Sequence, residues 1–167
     1  STQNILLGSG TSNLSHSHPT LIASQAAMFD HMSNGRFIMG IGPGGLSTDF
    51  EMFGTTEKDR QAMMVEGWDI VQKIWNTEPP YDIQGNYWTV RVVNMYQPDM
   101  GLGILPKPLQ NPFPRIATSA MSPYSGTAKL AGAKNWDLIS ANFNAPWVVK
   151  SHWDQYVKGA DQAGLRA

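Results

Sequence analysis

The chain has 167 residues, with 12 Lys and Arg against 13 Asp and Glu for a formal net charge of −1. A hydrophobic share of 41% can build a core, and the length suits one domain or part of a larger one. The balanced charge excludes a basic nucleic-acid surface, and no apolar run approaches the ~20 residues of a membrane helix. Cysteine is absent, which excludes disulfides, thiolate zinc sites and thiol nucleophiles. Ser1-Thr2-Gln3-Asn4 has neither a basic nor an apolar leader segment, so the expected setting is the cytoplasm. There is no initiator Met, an apolar run begins at Ile5, and the chain stops at Gly164-Leu165-Arg166-Ala167 after a helix-like stretch. These ends read as a slice of a longer protein.

Ile5-Leu6-Leu7 before Gly8-Ser9-Gly10 predicts a short buried strand ending in a glycine turn. Pro19 fits the first position of a helix whose stripe is Ile22, Ala26 and Phe29, widened by Leu21, Met28 and Met32. Asn34-Gly35 supplies a left-handed stop. Arg36 to Ile41 is a second strand, followed by a loop that contains Asp49, Phe50 and Phe53. Asp59 then opens a helix with Met64, Trp68, Val71, Ile74 and Trp75 on one face. Tyr81 to Pro114 is rich in Gly, Pro, Asn and aromatics, with one hairpin arm at Tyr87 to Val90, and reads as a long excursion between two βα units. Arg115 to Ser119 is a third strand, and Ser122-Pro123 opens a helix that runs to about Gly132. Asp137 to Ser140 is a fourth strand, and a last helix carries Trp147, Val148, Trp153, Tyr156 and Val157. The six Trp and nine Met sit mostly at helical spacing, where core packing is their expected role.

Alternating strands and helices predict a parallel sheet covered by helices, with the site at the C-terminal strand ends. Those ends are Gly8 to Asn13, Gly42 to Leu46, Ser119 to Ser125 and Ser140 to Asn144. Gly40-Ile41-Gly42-Pro43-Gly44-Gly45 matches G-x-G-x-x-G. Leu46 to Thr56 intervene before any helical period and Pro43 removes a backbone donor, so this reads as a tight strand-end loop and not a dinucleotide fingerprint. His16-Ser17-His18 lacks the further ligands of a metal site, and His18 is expected to brace the turn before Pro19. Ser119, Ser122, Ser125 and Thr127 cluster at a strand-to-helix junction. Hydroxyls and free N–H groups there suit either an anion or ordinary helix capping, and spacing alone leaves both open.

Two stretches resemble the bacterial luciferase-like, flavin-dependent monooxygenases, with limonene monooxygenase-like members the nearest in pattern. One runs from Ser17-His18-Pro19 through Phe29-Asp30-His31-Met32-Ser33-Asn34-Gly35-Arg36-Phe37, and continues through Asp49-Phe50 to Phe53-Gly54. The other is Ala120-Met121-Ser122-Pro123-Tyr124-Ser125-Gly126 with Ala131-Gly132. The resemblance implies an α/β fold, part of a (β/α)8 TIM barrel, with residues 1–167 as a single partial domain of about four βα units. It implies a monooxygenase in which reduced FMN, supplied by a separate NAD(P)H:flavin reductase, reacts with O2. The resulting C4a-peroxyflavin would oxidise a small organic substrate such as an aldehyde or terpene. FAD or a deazaflavin are the alternative cofactors, and a homo-oligomer is the expected assembly of the full-length protein.

Carried over by position, Gly10, Thr11 and Ser12 would line the isoalloxazine, where many relatives have a bulged or cis backbone. Gly42 would lie near the reactive edge of the ring. Met121, Ser122 and Ser125 would surround the phosphate, with Arg60 a further candidate. Pro43 stands where luciferase proper has a phosphate-contacting Arg, and the family's histidine-bearing strand end would precede Ser1. The resemblance therefore names no catalytic acid or base. A deazaflavin-dependent reductase or dehydrogenase of the same fold, and a flavin-binding protein without turnover, stand as alternatives.

Overall fold

The computed structural model describes residues 2–165; Ser1 and Arg166-Ala167, on which part of the chain-end reading rests, lie outside the described residues. In chain order the elements are β1 (Leu7–Gly8), β2 (Ser12–Asn13), α1 (Pro19–Met32), β3 (Phe37–Gly42), α2 (Ser47–Met52) and α3 (Arg60–Asn76). They continue with β4 (Tyr81–Gln84), β5 (Thr89–Val92), a 3-10 turn (Pro98–Met100), β6 (Arg115–Ala120), α4 (Gly126–Lys134), β7 (Asp137–Ser140) and α5 (Pro146–Gln162). The chain forms two compact units. The first takes residues up to Leu7, then Ser12–Phe37 and Pro43–Pro114. The second takes Gly8–Thr11, Ile38–Gly42 and the chain from Arg115 onward.

In the first unit, α1 and α3 pack on each other. Pro19 opens α1, and His18 Nδ1 caps it by accepting the Thr20 N–H at 3.3 Å. Asn34 and Gly35 stop it at φ values of 54° and 71°, as Asn-Gly predicts. The buried face is Ile22, Ala23, Ala26, Ala27 and Asp30. Leu21, Met28, Phe29 and Met32 are exposed, which corrects the wider stripe read from the sequence. Small residues at positions 23, 26 and 27 set that face, because they let α3 come close. Asp59 caps α3 by accepting the Ala62 N–H at 3.0 Å. Met64, Trp68, Val71, Ile74 and Trp75 are all buried there, and the Trp75 indole donates to the Ala23 carbonyl at 3.2 Å.

The long excursion is not loose. β4 and β5 pair antiparallel from Tyr81↔Val92 to Gln84↔Thr89, so the arm expected at Tyr87 to Val90 lies two residues later, at Thr89–Val92, and its partner Tyr81–Gln84 is an arm the sequence did not reveal. Glu66 on α3 accepts the N–H groups of Asn86, Tyr87 and Trp88 at 2.8, 2.9 and 2.9 Å. Lys107 donates to the Ile74 and Thr77 carbonyls at the end of α3, where a cation suits the helix dipole. The fully buried Asp30 accepts the Gln110 backbone N–H at 2.8 Å and its side-chain amide at 2.7 Å. Glu66→Ala is expected to lower stability by about 1–2 kcal/mol, since Trp88 N–H loses its acceptor while the exposed pair can turn to water. Glu66→Gln, which keeps one acceptor oxygen, should fall between the two in urea denaturation.

In the second unit the sheet order is β1-β3-β6-β7. β3 and β6 pair in parallel at Ile41↔Thr118, and β6 and β7 at Ala120↔Ser140. The buried Thr118 hydroxyl donates to the Ile41 carbonyl at 2.9 Å. At the other end, Arg115 donates to Asp137 at 2.7 Å, and this hydrogen bond and charge hold the exposed guanidinium above its ordinary range. The pair is open to water and contributes little.

α4 and α5 cover the sheet through small residues. A Cβ on Gly132 would lie 1.9 Å from the Tyr156 carbonyl oxygen, and one on Gly159 would lie 1.9 Å from that of Lys129. Trp147 and Trp153 are 60% and 55% exposed, and six of the nine Met are exposed as well. A core role holds for Trp68, Trp75, Trp136, Met39, Met63 and Met64, is corrected for Trp147, Trp153 and the six exposed Met, and Trp88 is half-buried. The close face of α5 is built from Ser151, Gly159 and Ala160, all buried, so its large rings project elsewhere.

Candidate functional site

The second unit brings three sequence-predicted stretches to the C-terminal ends of neighbouring strands. Gly10 and Thr11 follow β1, Gly42 ends β3, and Met121, Ser122 and Ser125 follow β6. The tail of β1 is fastened to β3 by Ser9. Its N–H donates to the Ile38 carbonyl at 3.3 Å, and its Oγ accepts the Gly40 N–H at 2.9 Å. A Cβ on Gly40 would lie 2.0 Å from the Ser9 carbonyl oxygen. The first glycine of the G-x-G pattern is thus required by a neighbouring backbone. The Gly10-Thr11 peptide is cis, and a Cβ on Gly10 would meet nothing within 4 Å. Gly42 is buried.

After β6 the chain makes a turn before its helix. Tyr124 takes φ 54°, so a helix cannot run through it. α4 begins at Gly126, with Ser125 as its cap accepting the Ala128 N–H at 3.4 Å. This corrects the expectation that Ser122-Pro123 opens the helix. Two bonds from α5 fix the turn: His152 Nε2 lies 2.8 Å from the Ser122 carbonyl, and the Tyr124 N–H donates to Ser151 Oγ at 3.1 Å. Ser122 is exposed, no acidic residue occupies the first turn of α4, and a Cβ on Gly126 would meet nothing within 4 Å. Hydroxyl donors, the positive end of a nine-residue helix and open space make a donor set suited to a phosphate.

The remaining two candidates belong to the first unit. Ser12 lies in β2. Arg60 donates to the Thr55 and Thr56 carbonyls at 3.0 and 3.2 Å, and its guanidinium stacks 3.8 Å above the Phe50 ring. The same unit explains Gly44 of the strand-end loop. Gly44 takes φ 83°, where a Cβ would lie 2.7 Å from His16 Cε1. The Ser15 hydroxyl ties the loop down by donating to the Pro43 carbonyl at 2.8 Å. The helix α2 follows at once, so the premise that no helix lies between Leu46 and Thr56 is corrected. Sequence reasoning missed His152 and Ser151 altogether, because neither sits in a motif or at a strand end. Ser140 falls inside the fourth strand end but carried no signal of its own.

A parallel βα sheet with an anion-suited turn beyond β6 has the layout of part of a βα barrel. The family model for luciferase-like monooxygenases matches residues 1–167. Limonene 1,2-monooxygenase of Rhodococcus erythropolis is 40% identical over 73 residues, covering 44% of this chain and 19% of that protein. A protein described as a coenzyme F420-dependent oxidoreductase of Mycobacterium tuberculosis is 32% identical over 112 residues, 67% of this chain and 32% of that one. Among solved structures, the oxygenating constituent of 3,6-diketocamphane monooxygenase from Pseudomonas putida, in complex with FMN, matches with a TM-score of 0.86. It is 28% identical, and the match covers 99% of this chain and 46% of that one. The chain belongs to the luciferase-like monooxygenase family, and its fold is part of that family's TIM barrel. It spans less than half the length of the relatives described here. Among the described residues, no helix is long and apolar enough to cross a membrane.

Proposed function

We propose that the whole protein is the oxygen-inserting component of a two-component flavin monooxygenase, acting in the cytoplasm on a small organic substrate. The observation that carries this reading is the FMN complex of the diketocamphane relative, which matches 99% of this chain over 46% of its own. When bound, reduced FMN supplies two electrons to O2, so that one oxygen atom enters the substrate and the other leaves as water. A separate NAD(P)H-dependent reductase would have to restore those electrons, and a homo-oligomer is the assembly we expect.

In this reading the second unit holds the cofactor. Gly10 and Thr11 lie along the ring, with no side chain at Gly10 to obstruct a planar face. Gly42 borders the reactive edge. Met121, Ser122 and Ser125 take the phosphate at the positive end of α4. Ser12 and Arg60, in the first unit, are candidates for ring and phosphate by the resemblance alone. The strand ends orient the ring, and the closed barrel excludes water from it.

With reduced FMN and a panel of aldehydes and terpenes, labelled O2 is expected to leave one atom in product and one in water. The relative described as F420-dependent favours a second reading, hydride transfer with a deazaflavin. Turnover with that cofactor and no oxygen uptake would replace the first reading by the second. Flavin binding with neither reaction would leave a binding protein.

The phosphate position has its own test. Ser122→Ala should weaken FMN about ten- to hundredfold, the worth of one hydrogen bond to a charged group, and barely change riboflavin, which has no phosphate. Equal loss of both ligands would place the phosphate elsewhere.

A further inference from the structure

We propose that His152 is a positioning residue for the flavin phosphate, acting from beneath the turn that receives it; this rests on the phosphate reading above. His152 is fully buried on α5, and both ring nitrogens are engaged. Nε2 lies 2.8 Å from the Ser122 carbonyl and Nδ1 lies 2.9 Å from Ser140 Oγ. A carbonyl can only accept, so Nε2 carries the proton, and in the neutral ring Nδ1 accepts from the Ser140 hydroxyl. One imidazole therefore ties the turn after β6 to the end of β7.

One turn of α5 supplies the second anchor. Ser151 Oγ accepts the Tyr124 N–H at 3.1 Å while donating to the Val148 carbonyl at 2.7 Å. Ser122 and Tyr124 flank Pro123, which has no N–H to offer. The turn's inward carbonyl and inward N–H are thus both held by α5, 30 and 27 residues further along the chain. Tyr124 is kept at φ 54°, which an unrestrained tyrosine rarely adopts. With the backbone pinned from below, the Ser122 side chain is left exposed and the cap Ser125 is set at the start of α4. A histidine that served packing alone would move stability and the affinities for all flavins together. A positioning histidine moves the ratio of FMN to riboflavin affinity.

The test compares wild type, His152→Ala, His152→Gln and Ser151→Ala in the intact protein. Flavin fluorescence gives Kd for FMN and for riboflavin, thermal melts report folding, and hydrogen exchange reports the Tyr124 amide. His152→Ala should raise the Kd for FMN about tenfold and that for riboflavin less than twofold, with faster exchange at Tyr124. Gln, whose amide can still donate to the Ser122 carbonyl, should recover most of the FMN affinity. If His152→Ala does not fold, Ser151→Ala carries the same expectation, because it removes the Tyr124 acceptor, together with the bond to the Val148 carbonyl, and leaves His152 in place. An unchanged FMN-to-riboflavin ratio in the folded variants, or equal loss of both ligands, overturns the proposal. If Ser122→Ala also leaves the ratio unchanged, the phosphate reading itself has failed; if Ser122→Ala shifts the ratio, only the role of His152 has.

Discussion

Gly159→Ala and Gly132→Ala should each lower the melting temperature by ~4–8 °C, reading about 2 kcal/mol against a domain of this size. The added methyl at either site would lie 1.9 Å from a backbone carbonyl oxygen of the facing helix. No side-chain rotation can relieve that contact, so α4 and α5 must move apart. Forced overpacking of this kind costs about 3 kcal/mol, and alanine's better helix propensity returns about 1 kcal/mol. Gly126→Ala, with nothing within 4 Å of its added Cβ, gives the contrast. It should be neutral or stabilising by ~0.4–1 kcal/mol. If all three variants melt together with wild type, the helices are not in the close contact described.

Gly40→Ala is expected to lose about 2–3 kcal/mol of stability, the cost of forcing a methyl into a packed backbone crossing. The atom in the way is the Ser9 carbonyl oxygen, 2.0 Å from the added Cβ, and Ser9 leads directly into Gly10-Thr11. The strand tail must lift off β3, also losing the bond from the Gly40 N–H to Ser9 Oγ. Under the proposed function this displaces residues beside the ring, so FMN and riboflavin should weaken by the same factor. That pattern is opposite to the FMN-selective loss expected of Ser122→Ala. A stable Gly40→Ala protein with wild-type affinity for both ligands would separate the β1 tail from the cofactor.

Local signals made much of this fold legible. β7 covers the predicted Asp137 to Ser140, β6 exceeds the predicted strand by one residue, and Asp59 caps α3 over the expected stripe. What escaped was set by partners far along the chain. Ser122-Pro123 looks like a helix opening, yet bonds to Ser151 and His152 hold that stretch as a turn and delay α4 to Gly126. α2 is six residues long with none of them buried, so it has no apolar period to detect. Apolar side chains at helical spacing also overstated the core: Trp147 and Trp153 project from α5 because its close face needs glycine and alanine. In the candidate site, the serines and glycines were readable as types at strand ends, while the histidine and serine that hold the turn were not.

The excursion between β4 and Pro114 is fastened at its two ends. Glu66 grips the hairpin at residues 86–88, and Lys107 and Gln110 clamp the return to α3 and α1. Between these clamps, Val93, Met95, Met100, Leu102 and Ile104 are exposed. The span behaves like a strap buckled at both ends, whose length can change without loosening either buckle. Doubling its slack costs only ~0.6 kcal/mol of closure entropy. Residues 93–106 are therefore where this architecture can accept inserted or altered sequence while the strands that carry the site stay in register.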